Sequence, residues 1–251
     1  MTAAGAVSDA VSANTLSANS EVCLSMNSKY VIYFEKSGYI KYTSHLDMMR
    51  LFKRIIRKTG IKLAYSQGFN PHPKMSLALP LALGYTGKNE ILEIETVEEY
   101  DTVYIAQMLD DSMPEGIKII TVGTIDRPEE NQRNRTIASQ VYAADYMIEV
   151  PLGSAEFADI SECAKRFSAQ PSLITQKVQK KTGKMLDTDI KPLINSIFAE
   201  INNGKIIITA NIAQGSQSTL SPELLLTEFC KFINLEFDRS EVEMTRLKIY
   251  F

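Results

Sequence analysis

Hydrophobic and polar positions along the chain follow two periods, and one order of predicted elements occurs twice. Alternation with a period of two, rich in β-branched and aromatic residues, predicts strands, and an apolar stripe with a period near 3.6 predicts helices. In the first half the predicted elements are a strand at 30–36, a helix at 44–60, strands at 61–69 and 89–97, a helix at 100–113 and a strand at 116–125. This β-α-β-β-α-β order predicts a ferredoxin-like domain.

The same order returns in the second half of the chain, with an insertion before the predicted hairpin. The predicted elements there are a strand at 146–150, a helix at 155–167, a further strand at 172–179, a hairpin at 196–212, a helix at 222–233 and a strand at 241–251. Asn202, Asn203 and Gly204 supply the turn of the hairpin, and Ser221 with Pro222 starts the last helix. The expected fold class is α+β, with tandem ferredoxin-like sandwiches that each have an antiparallel sheet and helices on one face.

Composition divides the chain into four parts. Residues 1–28 are rich in Ala, Ser, Asn and Thr without sustained periodicity, which predicts a disordered tail. Residues 29–125 form the first predicted domain, which carries the basic helix and a GFNPHPK loop. Residues 126–143 are polar and unpatterned and predict a linker, and residues 144–251 form the second predicted domain.

Cysteine usage and hydropathy restrict the setting of the protein. Cys23, Cys163 and Cys230 are an odd number without a close pair, so neither a disulfide framework nor a thiolate metal site is indicated. The sequence contains no window of 18 apolar residues and no signal-peptide pattern. We therefore expect a cytoplasmic protein with no membrane partner, no metal and no cofactor.

Positive charge is concentrated in one segment. The formal net charge of the chain is −3, yet residues 29–74 hold ten basic residues against two acidic ones. On the predicted helix, about 100° per residue places Arg50, Arg54 and Arg57 on one side and the apolar residues on the other. A charged helix face is usually only a solvated face, but a solvated face normally mixes both signs. Arginines on one stripe suit contacts with phosphates or carboxylates.

The two histidines, His45 and His72, are candidate acid-base groups. His45 lies in the first turn of the predicted helix, where Ser44 and Asp47 have the spacing of a capping box. His72 lies between two prolines that fix the backbone and predict a stiff loop, or a rigid turn that braces the sheet. If this loop closes one end of a basic groove, the candidate nucleic-acid contacts are Arg50, Arg54, Arg57, Lys58, Phe69, Asn70 and Lys74.

These residues also carry a resemblance to a known family. The Ser-His-Leu-Asp run at 44–47, the arginine stripe, the run at 65–74 and the segment DIKPLI at 189–194 resemble the radical-SAM-associated domain of unknown function. That domain is usually encoded beside, or fused behind, a cobalamin-binding-type radical SAM protein. The matched motif residues are Ser44, Asp47, Tyr65, Ser66, Gly68, Pro71 and Pro73. Because this chain lacks a Cys-x3-Cys-x2-Cys cluster, the resemblance implies a stand-alone partner of a radical SAM enzyme.

Three functions fit these observations. The first is an RNA-binding accessory module, more a non-catalytic partner than an enzyme, that holds structured tRNA or rRNA for a radical SAM enzyme; DNA is not expected. The second is a metal-independent endoribonuclease that uses His45 or His72, and the third is an adaptor that docks a radical SAM enzyme. In the second domain Asp189 and Lys191 flank a proline-stiffened turn, and Arg246 either extends the basic surface or is a solvated or paired strand residue.

Overall fold

A computed structural model of the chain describes residues 27–125, 136–153, 155–178 and 185–251. Its strands are β1 (Ser28–Lys36), β2 (Met75–Leu77), β3 (Thr86–Thr96), β4 (Ile117–Thr124), β5 (Ala143–Pro151), β6 (Ile174–Val178), β7 (Met185–Asp189), β8 (Ile194–Asn202), β9 (Lys205–Ala213) and β10 (Glu243–Tyr250). Its α-helices are α1 (His45–Lys58), α2 (Thr102–Asp110), α3 (Ile137–Gln140), α4 (Ile160–Ser168) and α5 (Pro222–Phe232). No helix within these described ranges is long and apolar enough to cross a membrane.

Two ferredoxin-like units share one eight-stranded sheet. The strand order is β4-β1-β3-β10-β5-β9-β8, and β2 also pairs with β3. The first unit therefore has the order β4-β1-β3-β2 and the second repeats it as β10-β5-β9-β8, both with antiparallel neighbours. Between the units β3 and β10 run parallel, with Thr245 beside Thr86 and Arg246 beside Gly87. The predicted α+β fold class is confirmed, and the two sheets are joined edge to edge.

In each unit the two longer helices pack on one face of the sheet. Alternating residues of β1 share a core with Phe52 of α1 and Ile105 of α2. In the second unit α4 and α5 pack against alternating residues of β5 and β9. The short helix α3 lies elsewhere, because its Ile137 packs with Val31 of β1 and Ile249 of β10 in a separate cluster. The first helix of the first unit is thus anchored by its apolar side and turns its other side to solvent.

An ion pair is buried where the two units meet. Arg246 of β10 donates to both carboxylate oxygens of Glu90 of β3, with 2.9 Å between Nε and Oε1, and its side chain is 1% exposed. The same guanidinium donates to the carbonyl of Leu79 at 2.7 Å and to that of Pro80 at 3.4 Å. Gly87 leaves room for the carboxylate, because a Cβ there would lie 2.5 Å from the Glu90 side chain. The junction therefore fixes both units and residues 79–80.

Lys36 is also buried beside this ion pair. Its ammonium donates to the carbonyl of Thr43 at 2.9 Å. Burial lowers the pKa of Lys36, although the nearby Glu90 carboxylate opposes that shift. One of the ten cations in the basic segment is therefore part of the interior and not of the surface.

The structure corrects one predicted strand and shows that another lies outside the main sheet. Residues 61–69 do not form a regular strand; Leu63 and Tyr65 make isolated bridges, and the strand at this edge of the sheet is β2. Prolines at 71 and 73 lack backbone N–H donors, which prevents a longer ladder here. The strand predicted at 172–179 is present as β6, which pairs with β7 in a separate two-stranded antiparallel sheet.

The predicted tail and the predicted linker lie partly outside the described residues. The predicted tail 1–28 lies outside the described residues up to residue 26, and β1 begins at Ser28. Residues 126–135 of the predicted linker also lie outside them, whereas its later part contains α3. The turn of the predicted hairpin lies between β8 and β9, where Asn203 and Gly204 both have positive φ as a tight hairpin turn requires.

Candidate functional site

Helix α1 begins with a capped turn that also engages one of the predicted arginines. The Ser44 hydroxyl accepts the backbone N–H of Asp47 at 3.2 Å and donates to the Asp47 carboxylate at 2.7 Å. The other oxygen of Asp47 accepts from Nη1 of Arg50 at 2.9 Å. The Ser44 hydrogen bond, followed by that of Arg50, holds the pKa of Asp47 below its ordinary value. Ser44 and Asp47 therefore start the helix, and Arg50 is paired with an acid.

The last two turns of α1 carry cations of a different kind. Lys53, Arg54, Arg57 and Lys58, here called the α1 cluster, are all exposed. None of the four makes an ion pair or a side-chain hydrogen bond with another residue in the described part of the chain. The C-terminal end of a helix dipole favours cations, so the cluster does little harm to the helix itself. Four adjacent positive charges without an acidic partner form a surface suited to an anion.

A cavity of about 330 Å³, here called the basic cavity, opens beside the α1 cluster. Lys53 and Arg57 line it from the helix, and Lys62 and Tyr65 line it from the segment that follows. Lys62 is paired with Glu98 at 2.5 Å, and Tyr65 is 48% exposed. One concave surface thus presents two unpaired cations and an accessible aromatic ring. This combination suits a phosphate that lies next to a stacked base.

The loop 65–74 starts at the basic cavity and is closed at its own base. The backbone N–H of Ser66 donates to the carbonyl of His72 at 2.8 Å, and the Ser66 hydroxyl accepts the N–H of His72 at 2.9 Å. Gly68 has a φ of +127°, which only glycine adopts without strain. The loop shape is therefore fixed by Ser66, Gly68, Pro71, His72 and Pro73.

The tip and the end of this loop have different surroundings. Phe69 is fully exposed at the tip, with Asn70 exposed beside it. Lys74 at the end donates to Glu95 of β3 at 2.8 Å. Burial opposes ionisation of Glu95, but hydrogen bonds from Lys74 and Asn27 outweigh it, and the pKa of Glu95 is lowered. Phe69 and Asn70 are thus available to a ligand, whereas Lys74 fastens the loop to the sheet.

The two histidines lie in different surroundings. His45 lines a second cavity of about 460 Å³, here called the junction cavity, together with Met49, residues 75–80, Ala138 and the loop at 215–216. The Nδ1 atom of His45 is buried and has no hydrogen-bond partner among the described residues. His72 is exposed and is not among the lining residues of this cavity. The structure therefore does not bring the two histidines into one cavity.

The candidate residues of the second unit make structural contacts. Oδ1 of Asp189 accepts the backbone N–H groups of Leu173 at 2.8 Å and Lys191 at 2.9 Å, and these bonds lower the pKa of Asp189. The Lys191 ammonium donates to the carbonyl of Ser168, the last residue of α4. Arg246 is the buried junction residue. Of its two interpretations the structure supports the paired one, and Arg246 does not extend the exposed basic surface.

Sequence reasoning missed two lining residues of the basic cavity. Lys53 lies four residues before Arg57, a spacing that places both on one side of a helix and could have identified it. Lys62 follows the helix in an irregular segment, and no local pattern indicated its position. In the described ranges, no three His, Cys, Asp or Glu side chains come together as a metal site would require.

Two solved structures match this chain at low sequence identity. A chain in the crystal structure of a Cbf5-Nop10-Gar1 complex matches with a TM-score of 0.48 and 12% identity, over 88% of this chain and 48% of that one. This chain thus spans about half the length of that match. The crystal structure of an unknown protein from Galdieria sulphuraria matches with a TM-score of 0.28 and 8% identity, over 90% of this chain and 100% of that chain. Neither likeness supports an argument about fold or function.

Sequence comparisons give a more definite result. No curated protein matches this chain. A family model does match, and it spans the first unit, the loop 65–74, the whole of α1 and most of the second unit. The chain therefore belongs to the family described as uncharacterized protein conserved in bacteria (DUF2344), whose model matches residues 29–222.

Proposed function

We propose that this protein is an RNA-binding accessory module whose phosphate-binding surface is the α1 cluster with the basic cavity. The observation that carries the proposal is the set of four adjacent exposed cations, none of which has an acidic partner in the described structure. Other helices of the chain pair such charges, as Lys165 does with Glu162 and Lys231 with Glu228. Unpaired cations repel one another, and a polyanion relieves that repulsion.

The aromatic side chains near the cluster favour RNA with unpaired bases. Tyr65 lines the basic cavity beside Lys53 and Arg57, and Phe69 is exposed on a loop whose base is closed. Unpaired bases stack on such rings, whereas a regular duplex offers few accessible base faces. Loops of tRNA or rRNA are therefore the proposed ligands, and DNA is not.

A radical SAM enzyme is the proposed partner of this module. Two of the motifs that carry the resemblance, at 44–47 and 65–74, lie at the start of α1 and beside the basic cavity. In this proposal the module holds an RNA in the cytoplasm while the partner modifies it. Cys163 and Cys230, which are free thiols in the described part of the chain, are compatible with a reducing compartment.

The test is the salt dependence of RNA binding, measured by fluorescence anisotropy with labelled tRNA and rRNA hairpins. If the four cations each contact a phosphate of a single strand, affinity should fall about 50-fold between about 50 and 200 mM salt. The variant Lys53→Ala/Arg54→Ala/Arg57→Ala should bind weakly, with the log-log salt slope reduced by about 2.

A control variant removes the same formal charge from the second unit. Lys165→Ala/Lys205→Ala/Lys231→Ala takes away three cations that are each paired with an acid, so its RNA affinity and salt slope should match those of the unchanged protein. Equal losses of RNA affinity in both variants would show that only the net charge of the protein matters, and this result would contradict the proposal. If no RNA binds at either salt concentration, the proposal is wrong, and an acidic protein surface becomes the expected ligand of the α1 cluster. The length of the RNA should stay unchanged during the assay, because the module is proposed to bind RNA and not to cleave it.

A further inference from the structure

We propose that the junction cavity binds an unstacked nucleobase of the RNA and that the His45 imidazole is its hydrogen-bond partner; this inference rests on the proposed function. The first observation is the Nδ1 atom of His45, which is buried without a hydrogen-bond partner in the described structure. A buried polar atom without a partner is unfavourable and rare in folded proteins. The Nδ1 atom itself is covered, but the other ring nitrogen, Nε2, is not covered and also has no hydrogen-bond partner among the described residues, and His45 lines the cavity. A ligand group there can therefore pair with Nε2, and every nucleobase has both donors and acceptors on its edges.

The lining of the cavity suits a flat ring. Met49 and Met75 contribute flexible, polarisable thioether side chains, and Leu77 and Leu79 add further apolar surface. Ser76 supplies a hydroxyl that has no hydrogen-bond partner among the described residues. A volume of about 460 Å³ is within the range of small-molecule sites, which combine mostly apolar walls with a few polar groups. The cavity thus offers apolar faces to a ring and polar groups to its edge.

The cavity and the α1 cluster lie along one helix. His45 is the first residue of α1, and the cluster begins eight residues later at Lys53 and ends at Lys58. At 1.5 Å per residue, the cluster is about 12 to 20 Å along the helix from His45. A strand of RNA whose phosphates contact the cluster can therefore place a neighbouring nucleotide at the cavity. Proteins that recognise single-stranded RNA commonly turn a base out in this way.

The walls of the cavity are held in place before any ligand binds. Arg246 fixes residues 79–80 through their carbonyls. Gly215, which also lines the cavity, lies so close to the carbonyl of Val141 that a Cβ would be 2.2 Å from that oxygen. Gln214 is buried and donates to the carbonyl of Leu220, which fixes the same loop. A site that is already shaped loses little freedom when a base enters it.

Proton NMR of the histidine rings tests the inference directly. The chain has two histidines, so His72→Asn leaves the His45 imidazole as the single histidine signal. Adenosine, guanosine, cytidine and uridine are each titrated to about 10 mM, above the millimolar Kd expected for a ligand of this size. At least one nucleoside should move the His45 signal and, in the unchanged protein, leave the His72 signal in place.

Three variants separate the cavity from other sites. His45→Phe should abolish nucleoside binding, and His45→Gln should keep it within about threefold because its amide retains a hydrogen-bonding group. Ala138→Phe should block the cavity by filling it. With RNA, Ala138→Phe should bind about tenfold more weakly but with the same salt slope, because no phosphate contact is removed.

The outcomes distinguish this inference from the proposed function. If no nucleoside moves the His45 signal and Ala138→Phe binds RNA as well as the unchanged protein, the inference is overturned while the RNA-binding surface stands. A shift of the His45 signal that persists in Ala138→Phe also overturns it. If RNA fails to bind but a nucleoside moves the His45 signal and Ala138→Phe abolishes that shift, the cavity is a nucleobase site and the proposed function is lost.

Discussion

Helices α1 and α4 occupy equivalent places in the two ferredoxin-like units, yet the basic residues at their ends differ in whether they have interaction partners. Both begin at a side-chain cap, Ser44 in α1 and Asp159 in α4, and both carry basic residues in the last turn. In α4, Lys165 lies 3.6 Å from an acid on the same helix and Arg166 lies over the Phe232 ring at 5.9 Å. In α1 the corresponding residues have no such partners. The fold is therefore duplicated, whereas the proposed anion-binding surface is confined to the first unit.

The segments that follow these two helices show the same division. In the second unit the chain passes from β7 to the main sheet through Asp189 and Lys191, whose polar groups are used in contacts with the backbone. In the first unit the loop 65–74 is closed by Ser66 and His72 and still leaves Phe69 exposed. One insertion uses its polar groups to stabilise the fold, and the other keeps side chains available for a ligand.

The largest expected effect on stability comes from breaking the ion pair between the two units. Glu90→Gln would leave the Arg246 guanidinium buried without its carboxylate, and removal of one partner of a buried ion pair typically costs about 3–5 kcal/mol. The free energy of unfolding, measured in urea, should fall by that amount. Glu35→Gln, which breaks the exposed pair with Lys88, is the control and should cost less than about 1 kcal/mol. Equal losses would mean that the junction does not hold the units together.

A smaller effect tests whether the loop of the first unit is as firmly fixed as its contacts indicate. Gly68→Ala adds a methyl group to open space, but at a φ of +127° an alanine is strained, which should cost about 1 kcal/mol or more. Gly123→Ala on β4 adds the same methyl group, also to open space, without a left-handed backbone. Urea unfolding should show the loss in Gly68→Ala alone. Equal stability of the two variants would indicate that the loop relaxes freely.

The smallest expected effect is on the stability of the protein at acidic pH. The pKa of Glu95 is lowered below its ordinary value of 4.5, so its bond to Lys74 contributes stability above about pH 4.5 and loses it as pH falls through the lowered pKa. Because Glu95 is partly exposed, the contribution should be below about 1 kcal/mol. Glu95→Gln should remove this pH dependence from unfolding measured between about pH 3 and 6. An unchanged profile would show that Lys74 does not fasten the loop through this carboxylate.

Local patterns were sufficient for much of the fold. The helical period predicted α1, and the Asn-Asn-Gly turn predicted the β8–β9 hairpin, because both depend on residues close in sequence. The pattern of residues 61–69 predicted a regular strand, and this prediction was wrong because it did not take account of the two prolines that follow. The joining of the two sheets could not be predicted, because it depends on the contact of β3 with β10, far apart in the chain.

Some features of the candidate site could likewise be predicted from local sequence, and others could not. The arginine stripe followed from helical geometry, and the spacing of Asp47 and Arg50 could also have indicated that this arginine is paired. Burial of Lys36 and Arg246 depends on Glu90, which no local pattern connects to either. The two cavities lie between segments that meet only after folding, so their outlines were not accessible from sequence.

The Arg246–Glu90 pair joins residues 156 positions apart, which has a consequence for the order of folding. Contacts of such long separation form late, because a large chain loop must close before they are made. Until β10 arrives, the edge of β3 near Thr86 exposes unpaired backbone groups that another chain could use. Glu90, still without its arginine, then places a negative charge beside that edge, and charge is a common protection against aggregation there. We therefore expect Glu90 to protect the incomplete sheet from association before it joins the two units.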